Sequence, residues 1–161
     1  MTNGHLHVIR EGARLFDELV VAVGDNPEKR YRFTADERQA MLEAAISGEG
    51  HEGVRVARLG GSYLVDFARS VGAGYVLRGI RNQADYAFEQ TMRNVNGDMR
   101  PEVTTVFVMP PRELAEVSSS FVMGLVGPAG WERVVRKYLP EEVCRALERR
   151  TPPGPQGRQE D

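Results

Sequence analysis

The chain lacks several features that define large classes of protein. It has one cysteine, Cys144, so neither an intramolecular disulfide nor a cysteine-based metal site can form within it. No apolar run approaches the roughly 20 residues needed to cross a bilayer, and the first residues contain no apolar core of a signal peptide. We therefore expect a cytoplasmic protein that does not enter a membrane.

The chain also lacks an excess of one charge. Lys and Arg total 21 against 23 Asp and Glu, a net charge of −2, whereas a nucleic-acid-binding surface needs clustered positive charge. Nucleic acid is therefore not an expected partner. The length of 161 residues suits one globular domain, which we place at residues 1–150. Residues 151–161, rich in Pro, Gly and charged side chains, are predicted to form a disordered tail.

Buried strands and amphipathic helices alternate along the chain. Apolar or alternating runs predict strands at 19–24, 54–59, 75–79 and 104–109. Helices are predicted at 5–17, 34–46, 63–71, 84–99, 118–126, 130–139 and 140–150. Thr34 followed by Glu37 forms a capping-box pattern, and Pro140 suits the start of the last helix. The alternation predicts an α/β fold with a parallel sheet, whose ligands bind at the carboxyl ends of the strands.

The segment TNGH (residues 2–5) opens the first helix with residues suited to a phosphate. Gly4 allows close approach to the backbone, Thr2 can cap the helix, and His5 stands in the first turn. A histidine there can donate a hydrogen bond to a phosphoryl oxygen as charge develops. The alternative is an ordinary capped helix with a surface histidine.

Two further segments combine anion-binding groups. RGIR places Arg78 and Arg81 directly after a buried strand, where guanidinium forks suit phosphate or carboxylate oxygens. SSS (residues 118–120) opens a helix with three hydroxyls, although plain capping needs only one. Lys29, in the loop after strand 19–24, could reach a phosphate as a mobile charge, and Glu89 follows on the helix after RGIR. Surface ion pairs or solvated side chains are the alternatives.

Taken together, these stretches resemble the bacterial phosphopantetheine adenylyltransferases, nucleotidyltransferases of the HxGH superfamily. The matching segments are TNGHLHVI, FTADER, VLRGIRNQADYAFEQTMRNVN, PEVTTVFVMP and VSSS, which lie between Thr2 and about Leu147. The resemblance implies a Rossmann-like parallel sheet flanked by helices and adenylyl transfer from ATP to 4′-phosphopantetheine, giving dephospho-coenzyme A and pyrophosphate. It also implies Mg²⁺ as cofactor with no protein ligand assigned to it, a homohexamer, and coenzyme A as a feedback ligand.

Site residues follow from the resemblance by motif. It implies that His5, Lys29 and Arg81 are catalytic. It implies that ATP is bound by Thr2, His5, Gly79, Ile80, Arg81, Glu89, Ser118, Ser119 and Ser120. It implies that Lys29, Leu64 and Arg78 bind 4′-phosphopantetheine.

The sequence departs from the family pattern at its front. The family begins with a strand and a Gly-Thr/Ser-Phe-Asp-Pro turn before TxGH, and neither is present ahead of Thr2. We expect two strands each to lack a neighbour, and we expect a start placed too far downstream, or else a weakened relative. Leu114, Glu116 and Met123 also depart from the usual aromatic, His or Lys residues near the nucleotide, which predicts weaker ATP binding.

Two other functions stay open at this point. One is a different HxGH nucleotidyltransferase, acting on nicotinamide mononucleotide or transferring a cytidylyl group. The other is a truncated or inactive relative that binds a nucleotide or coenzyme A without catalysis.

Overall fold

In the computed structural model, described for residues 1–25, 30–48 and 50–151, helices and parallel strands alternate. The strands are β1 (Leu19–Val23), β2 (Val54–Arg58), β3 (Tyr75–Gly79) and β4 (Thr104–Val108). The α-helices are α1 (Asn3–Leu15), α2 (Ala35–Ser47), α3 (Leu64–Ser70), α4 (Gln83–Met99), α5 (Ser119–Gly124), α6 (Trp131–Val135) and α7 (Glu141–Arg150), with a 3-10 turn at Arg112–Leu114. The predicted α/β class is confirmed.

The strands form two parallel pairs. β1 pairs with β2 and β3 pairs with β4, so each described strand has one described neighbour. Gly12 of α1 lies between the pairs: a methyl group added there would come 2.9 Å from a Leu77 side-chain carbon and 3.0 Å from one of Leu19. α1 therefore packs across both pairs. The expectation that two particular strands lack a neighbour stays a prediction, because each of the four described strands has one unpaired edge.

Local capping signals set several helix starts. Thr34 and Glu37 form the predicted capping box at α2, with Thr34 N–H donating to Glu37 Oε2 at 2.7 Å. Asn82 caps α4 and Ser118 caps α5 through their side-chain oxygens. Each of these caps fixes where the chain turns from a strand or loop into a helix.

The predicted helix 130–139 is wrong in its second half. α6 ends at Val135, and the N–H groups of Tyr138 and Leu139 both donate to the Val135 carbonyl in a turn before Pro140. The carbonyls of Lys137 and Tyr138 instead accept hydrogen bonds from the Asn3 side chain and the Asn3 backbone, at 3.2 and 2.8 Å. This contact fastens the start of α1 to the C-terminal part of the chain.

The largest buried cluster lies in the C-terminal part of the chain. Its members are Met41, Val117, Val122, Trp131, Val135, Leu139, Val143, Cys144, Ala146 and Leu147. Because Val117 and Val122 flank the start of α5, this cluster holds the SSS segment in place. Among the described residues, no helix is both long and apolar enough to span a membrane.

Candidate active site

Three of the predicted anion-binding segments meet in the folded chain. The backbone carbonyl of Val117, next to SSS, accepts a hydrogen bond from Arg81 Nη1 at 3.4 Å. The same oxygen lies 3.5 Å from the position of a methyl group added at Gly4, in TNGH. TNGH, RGIR and SSS are about 36 or more residues apart in sequence. Because folding nevertheless brings them together, they can contribute to one ligand-binding site.

His5 is held by an unusual form of capping box. Its Nδ1 atom lies 3.2 Å from the Thr2 backbone nitrogen and 2.8 Å from Thr2 Oγ1. A backbone N–H can only donate, so Nδ1 must accept, and we assign the neutral tautomer with the proton on Nε2. Thr2 is almost completely buried, at 1% exposure. His5 thus replaces the usual Glu of a capping box and presents Nε2–H as a donor.

The surroundings of His5 favour its neutral form. The pKa of His5 is lowered to about 4, first by desolvation among the surrounding protein atoms and then by the positive charges of the Met1 amino group, Arg81 and Arg78. One side of the residue is nevertheless exposed to solvent, so a ligand can reach it. At neutral pH the ring is therefore a hydrogen-bond donor and not a proton donor.

Arg78, at the end of β3, is paired with Glu89 of α4. Arg78 Nε donates to Glu89 Oε2 at 2.9 Å and Arg78 Nη2 donates to Oε1 at 2.5 Å. The Glu89 side chain is 10% exposed and that of Arg78 is 40% exposed. The carboxylate therefore lies beneath the guanidinium, which keeps an outward-facing part.

Arg81 makes the same kind of pair with Asp85, which lies one helical turn before Glu89 on α4. Its Nε and Nη2 donate to Asp85 Oδ2 and Oδ1 at 2.7 and 3.0 Å. Hydrogen bonds from Arg81 hold the pKa of Asp85 below its usual range, and Asp85 in turn raises the pKa of Arg81. Asp85 was not predicted as a site residue. Its signal in the sequence is a carboxylate four positions after Arg81 and four before Glu89.

The serines divide into one capping residue and two exposed ones. Ser118 Oγ accepts the Phe121 N–H at 3.0 Å, as a helix cap does. Ser119 and Ser120 are exposed in the first turn of α5. The capping interpretation therefore explains Ser118, and the other two hydroxyls stay available to a ligand.

The remaining predicted residues take different places. Gly79 packs against α1: a methyl group there would lie 2.8 Å from Val8 Cγ2. Ile80 is buried and its N–H donates to the Val108 carbonyl, so any ligand contact falls to its own carbonyl. Leu64 packs on the cluster around Val65 and Val76. Lys29 lies outside the described residues, as do 152–161 of the predicted tail. The ligand roles of all these residues stay predictions.

Known proteins similar to this chain point to one family. Residues 1–123 match the family model described as cytidylyltransferase-like. A phosphopantetheine adenylyltransferase of Chromobacterium violaceum is 54% identical over 147 residues, covering 91% of this chain and 88% of that protein. The chain belongs to the phosphopantetheine adenylyltransferase family. The predicted resemblance is thereby confirmed.

More distant phosphopantetheine adenylyltransferases align over a similar span. One from Neisseria meningitidis serogroup B is 49% identical over 142 residues, with 88% of this chain and 82% of that protein covered. One from Lacticaseibacillus casei is 35% identical over 146 residues, with 91% and 84% covered. The family model spans TNGH, RGIR and SSS, so the convergent site lies within the part of the chain that carries the likeness.

Proposed function

We propose that this chain transfers the adenylyl group of ATP to 4′-phosphopantetheine, giving dephospho-coenzyme A and pyrophosphate. A phosphate oxygen of 4′-phosphopantetheine attacks the α-phosphorus of ATP, and the bond to the bridging oxygen of the β-phosphate breaks. The observation that carries the proposal is the neutral His5 Nε2–H donor, set beside two arginines and the exposed serines. The printed names of the relatives agree with it.

Catalysis in this site is a matter of placement and charge. The attacking phosphate is already ionised, so no covalent intermediate or general base is needed. His5 Nε2–H would donate to an α-phosphoryl oxygen as negative charge builds in the transition state. We propose that Arg81, Ser119 and Ser120, with Thr2, Glu89, Ser118 and the backbone of residues 79–80, bind ATP. Arg78, Lys29 and Leu64 would bind 4′-phosphopantetheine.

Mg²⁺ is proposed as a companion of ATP, since it neutralises nucleotide phosphates. Among the described residues there is no cluster of three or more His, Cys, Asp or Glu side chains that could hold a metal ion. The two carboxylates at the site, Asp85 and Glu89, are engaged by arginines. These two side chains therefore do not form a binding site for magnesium by themselves.

A homo-oligomer, with the hexamer as the specific expectation, is also proposed. Along most of α4 only Glu89 is buried, and the helix exposes an apolar stripe of Phe88, Met92 and Val95 at 61%, 37% and 45%. Such a stripe is typical of a protein–protein contact. We further propose cytoplasmic location, and feedback by coenzyme A, whose pantetheine arm would compete for the 4′-phosphopantetheine site.

Release of pyrophosphate tests the proposed reaction. ATP and CTP should each be offered with 4′-phosphopantetheine and, separately, with nicotinamide mononucleotide. We expect pyrophosphate only from ATP with 4′-phosphopantetheine. Release from CTP, or with the other acceptor, would replace this function by that of another nucleotidyltransferase. Binding of ATP or coenzyme A without any release of pyrophosphate would establish a non-catalytic relative.

A further inference from the structure

The two carboxylates on α4 lie beneath the two arginines of RGIR in the same way. Asp85 and Glu89 are one helical turn apart and so project from one face of α4. Each accepts two hydrogen bonds from the Nε and Nη2 edge of one arginine. In both pairs the carboxylate is less exposed than its arginine, 10% against 40% and 23% against 32%.

This geometry leaves the outer edge of each guanidinium for a ligand. A guanidinium can form a fork on its Nε/Nη2 edge and a second on its Nη1/Nη2 edge. Within the described part of the chain, Arg78 Nη1 makes no hydrogen bond, whereas Arg81 Nη1 donates to the Val117 carbonyl at 3.4 Å. The carboxylates therefore hold the Nε/Nη2 edge of each guanidinium and leave the Nη1/Nη2 edge facing outward.

We propose that Glu89 and Asp85 are positioning residues: Glu89 orients Arg78 toward the acceptor phosphate, and Asp85 orients Arg81 toward the phosphates of ATP. The inference rests on the proposed function for the identity of the two ligands. It adds a second role for Glu89, the support of Arg78, to the ATP contact that the family resemblance implies. Two hydrogen bonds from Arg78 to a mostly buried carboxylate carry that second role.

An arginine side chain that is already ordered before the ligand arrives loses less conformational entropy on binding. A free arginine side chain loses rotamer freedom when it binds a phosphate, and a pre-formed pair removes part of that loss. Removing the charge of the supporting carboxylate also weakens two charge-assisted hydrogen bonds. The effect should therefore appear as weaker 4′-phosphopantetheine binding when Glu89 is changed and as weaker ATP binding when Asp85 is changed.

Binding of ATP and of 4′-phosphopantetheine should be measured separately by calorimetry on the full chain. We expect Glu89→Gln to weaken 4′-phosphopantetheine binding by about tenfold. Asp85→Asn should weaken ATP binding by about tenfold and leave 4′-phosphopantetheine binding within about twofold. Asp98→Asn, which removes an exposed carboxylate from the same helix, is the matched control and should change neither. The inference is overturned if Glu89→Gln leaves 4′-phosphopantetheine binding within about twofold of the parent, or if Asp85→Asn weakens both ligands alike.

A double substitution separates positioning from direct contact. If Glu89 acts only through Arg78, then adding Glu89→Gln to Arg78→Ala should cost no further 4′-phosphopantetheine affinity, beyond about twofold. A further large loss would contradict the inference. If Glu89→Gln fails to melt cooperatively, Glu89→Asp replaces it, because it keeps the charge on a shorter side chain. Glu89→Asp should weaken 4′-phosphopantetheine binding to a smaller extent.

A measurement without either substrate keeps this inference separate from the proposed function. In the ligand-free chain, the Nε–H of Arg78 should give a slowly exchanging NMR signal that is lost in Glu89→Gln and kept in Asp98→Asn. An unchanged signal in Glu89→Gln would overturn the positioning role. If the signal behaves as expected but the parent chain binds neither ATP nor 4′-phosphopantetheine, the proposed function fails while the arginine–carboxylate pairing stands.

Discussion

At the residue scale, the decisive feature is that Thr2 fixes the tautomer of His5. Because Nδ1 accepts the Thr2 N–H, the only ring proton lies on Nε2. A donor placed for a charge that appears only in the transition state affects turnover more than binding. The hydrogen-bonding role of His5 thus depends on one local hydrogen bond, from the Thr2 backbone at the start of α1.

Replacing His5 tests this role directly. We expect His5→Ala to lower kcat by roughly 10²–10³, the scale for loss of one such donor, with a small change in KM. Steady-state kinetics of pyrophosphate release measure both constants. His7→Ala, on the same helix two positions away, is the control and should keep kcat near the parent value. Equal kcat for His5→Ala and the parent would remove His5 from the mechanism.

The lowered pKa of His5 makes stability depend on pH. With a folded-state pKa of about 4, below the ordinary value near 6.5, the unfolded chain takes up a proton that the folded chain does not. The folded state therefore loses stability as pH falls from about 6.5 to about 4. We expect the urea midpoint to drop more between about pH 7 and about pH 5 in the parent than in His5→Gln. Identical drops would show that the His5 pKa is ordinary.

At the element scale, close packing of β3 against α1 places RGIR. Gly79 ends β3 at a point where a methyl group would lie 2.8 Å from Val8 Cγ2, closer than any carbon contact allows. The absence of a side chain at Gly79 lets the end of the strand approach α1. Arg78 and Arg81 flank this point, so their positions depend on that approach.

Adding a methyl group at this contact should loosen the site. We expect Gly79→Ala to destabilise the fold by about 1–3 kcal/mol, as overpacking does, and to weaken ligand binding because the end of β3 must move. Gly74→Ala is the control, since nothing lies within 4 Å of a methyl group there. Val8→Ala in the Gly79→Ala background should restore part of the loss. Chemical denaturation of the parent and the three variants measures these changes, and a neutral Gly79→Ala would contradict the close contact.

At the scale of the whole molecule, the exposed stripe on α4 predicts self-association. Phe88, Met92 and Val95 present apolar surface on a helix whose only buried side chain is Glu89. We expect light scattering to show an oligomer for the parent chain and a smaller species for Phe88→Glu. Gln90→Glu, at an exposed polar position of α4, adds the same charge beside the stripe and should leave the oligomer intact. A monomeric parent would contradict this prediction.

Much of the architecture followed from the sequence alone. Apolar or alternating runs marked all four strands within a residue of their observed bounds, because the two-residue period and the β-branched content of a strand are local properties of the sequence. The capping box of Thr34 and Glu37 was equally readable, since it depends on residues three positions apart. The second half of the predicted helix 130–139 was wrong: the carbonyls of Lys137 and Tyr138 accept hydrogen bonds from Asn3, a partner so distant in sequence that no local pattern indicates it.

The sequence by itself determined which groups are available: a histidine at a helix start, two arginines around a glycine after a strand, and a run of serines. Local rules suffice for these, because each motif lies within a few neighbouring residues. Only the tertiary structure decided what they do. The neutral His5 tautomer, the support of Arg78 by Glu89 and the placing of Arg81 between Asp85 and Val117 are contacts whose partners and directions the chain acquires by folding. Hydrogen bonds depend on distance and angle in space, and spacing along the chain carries neither.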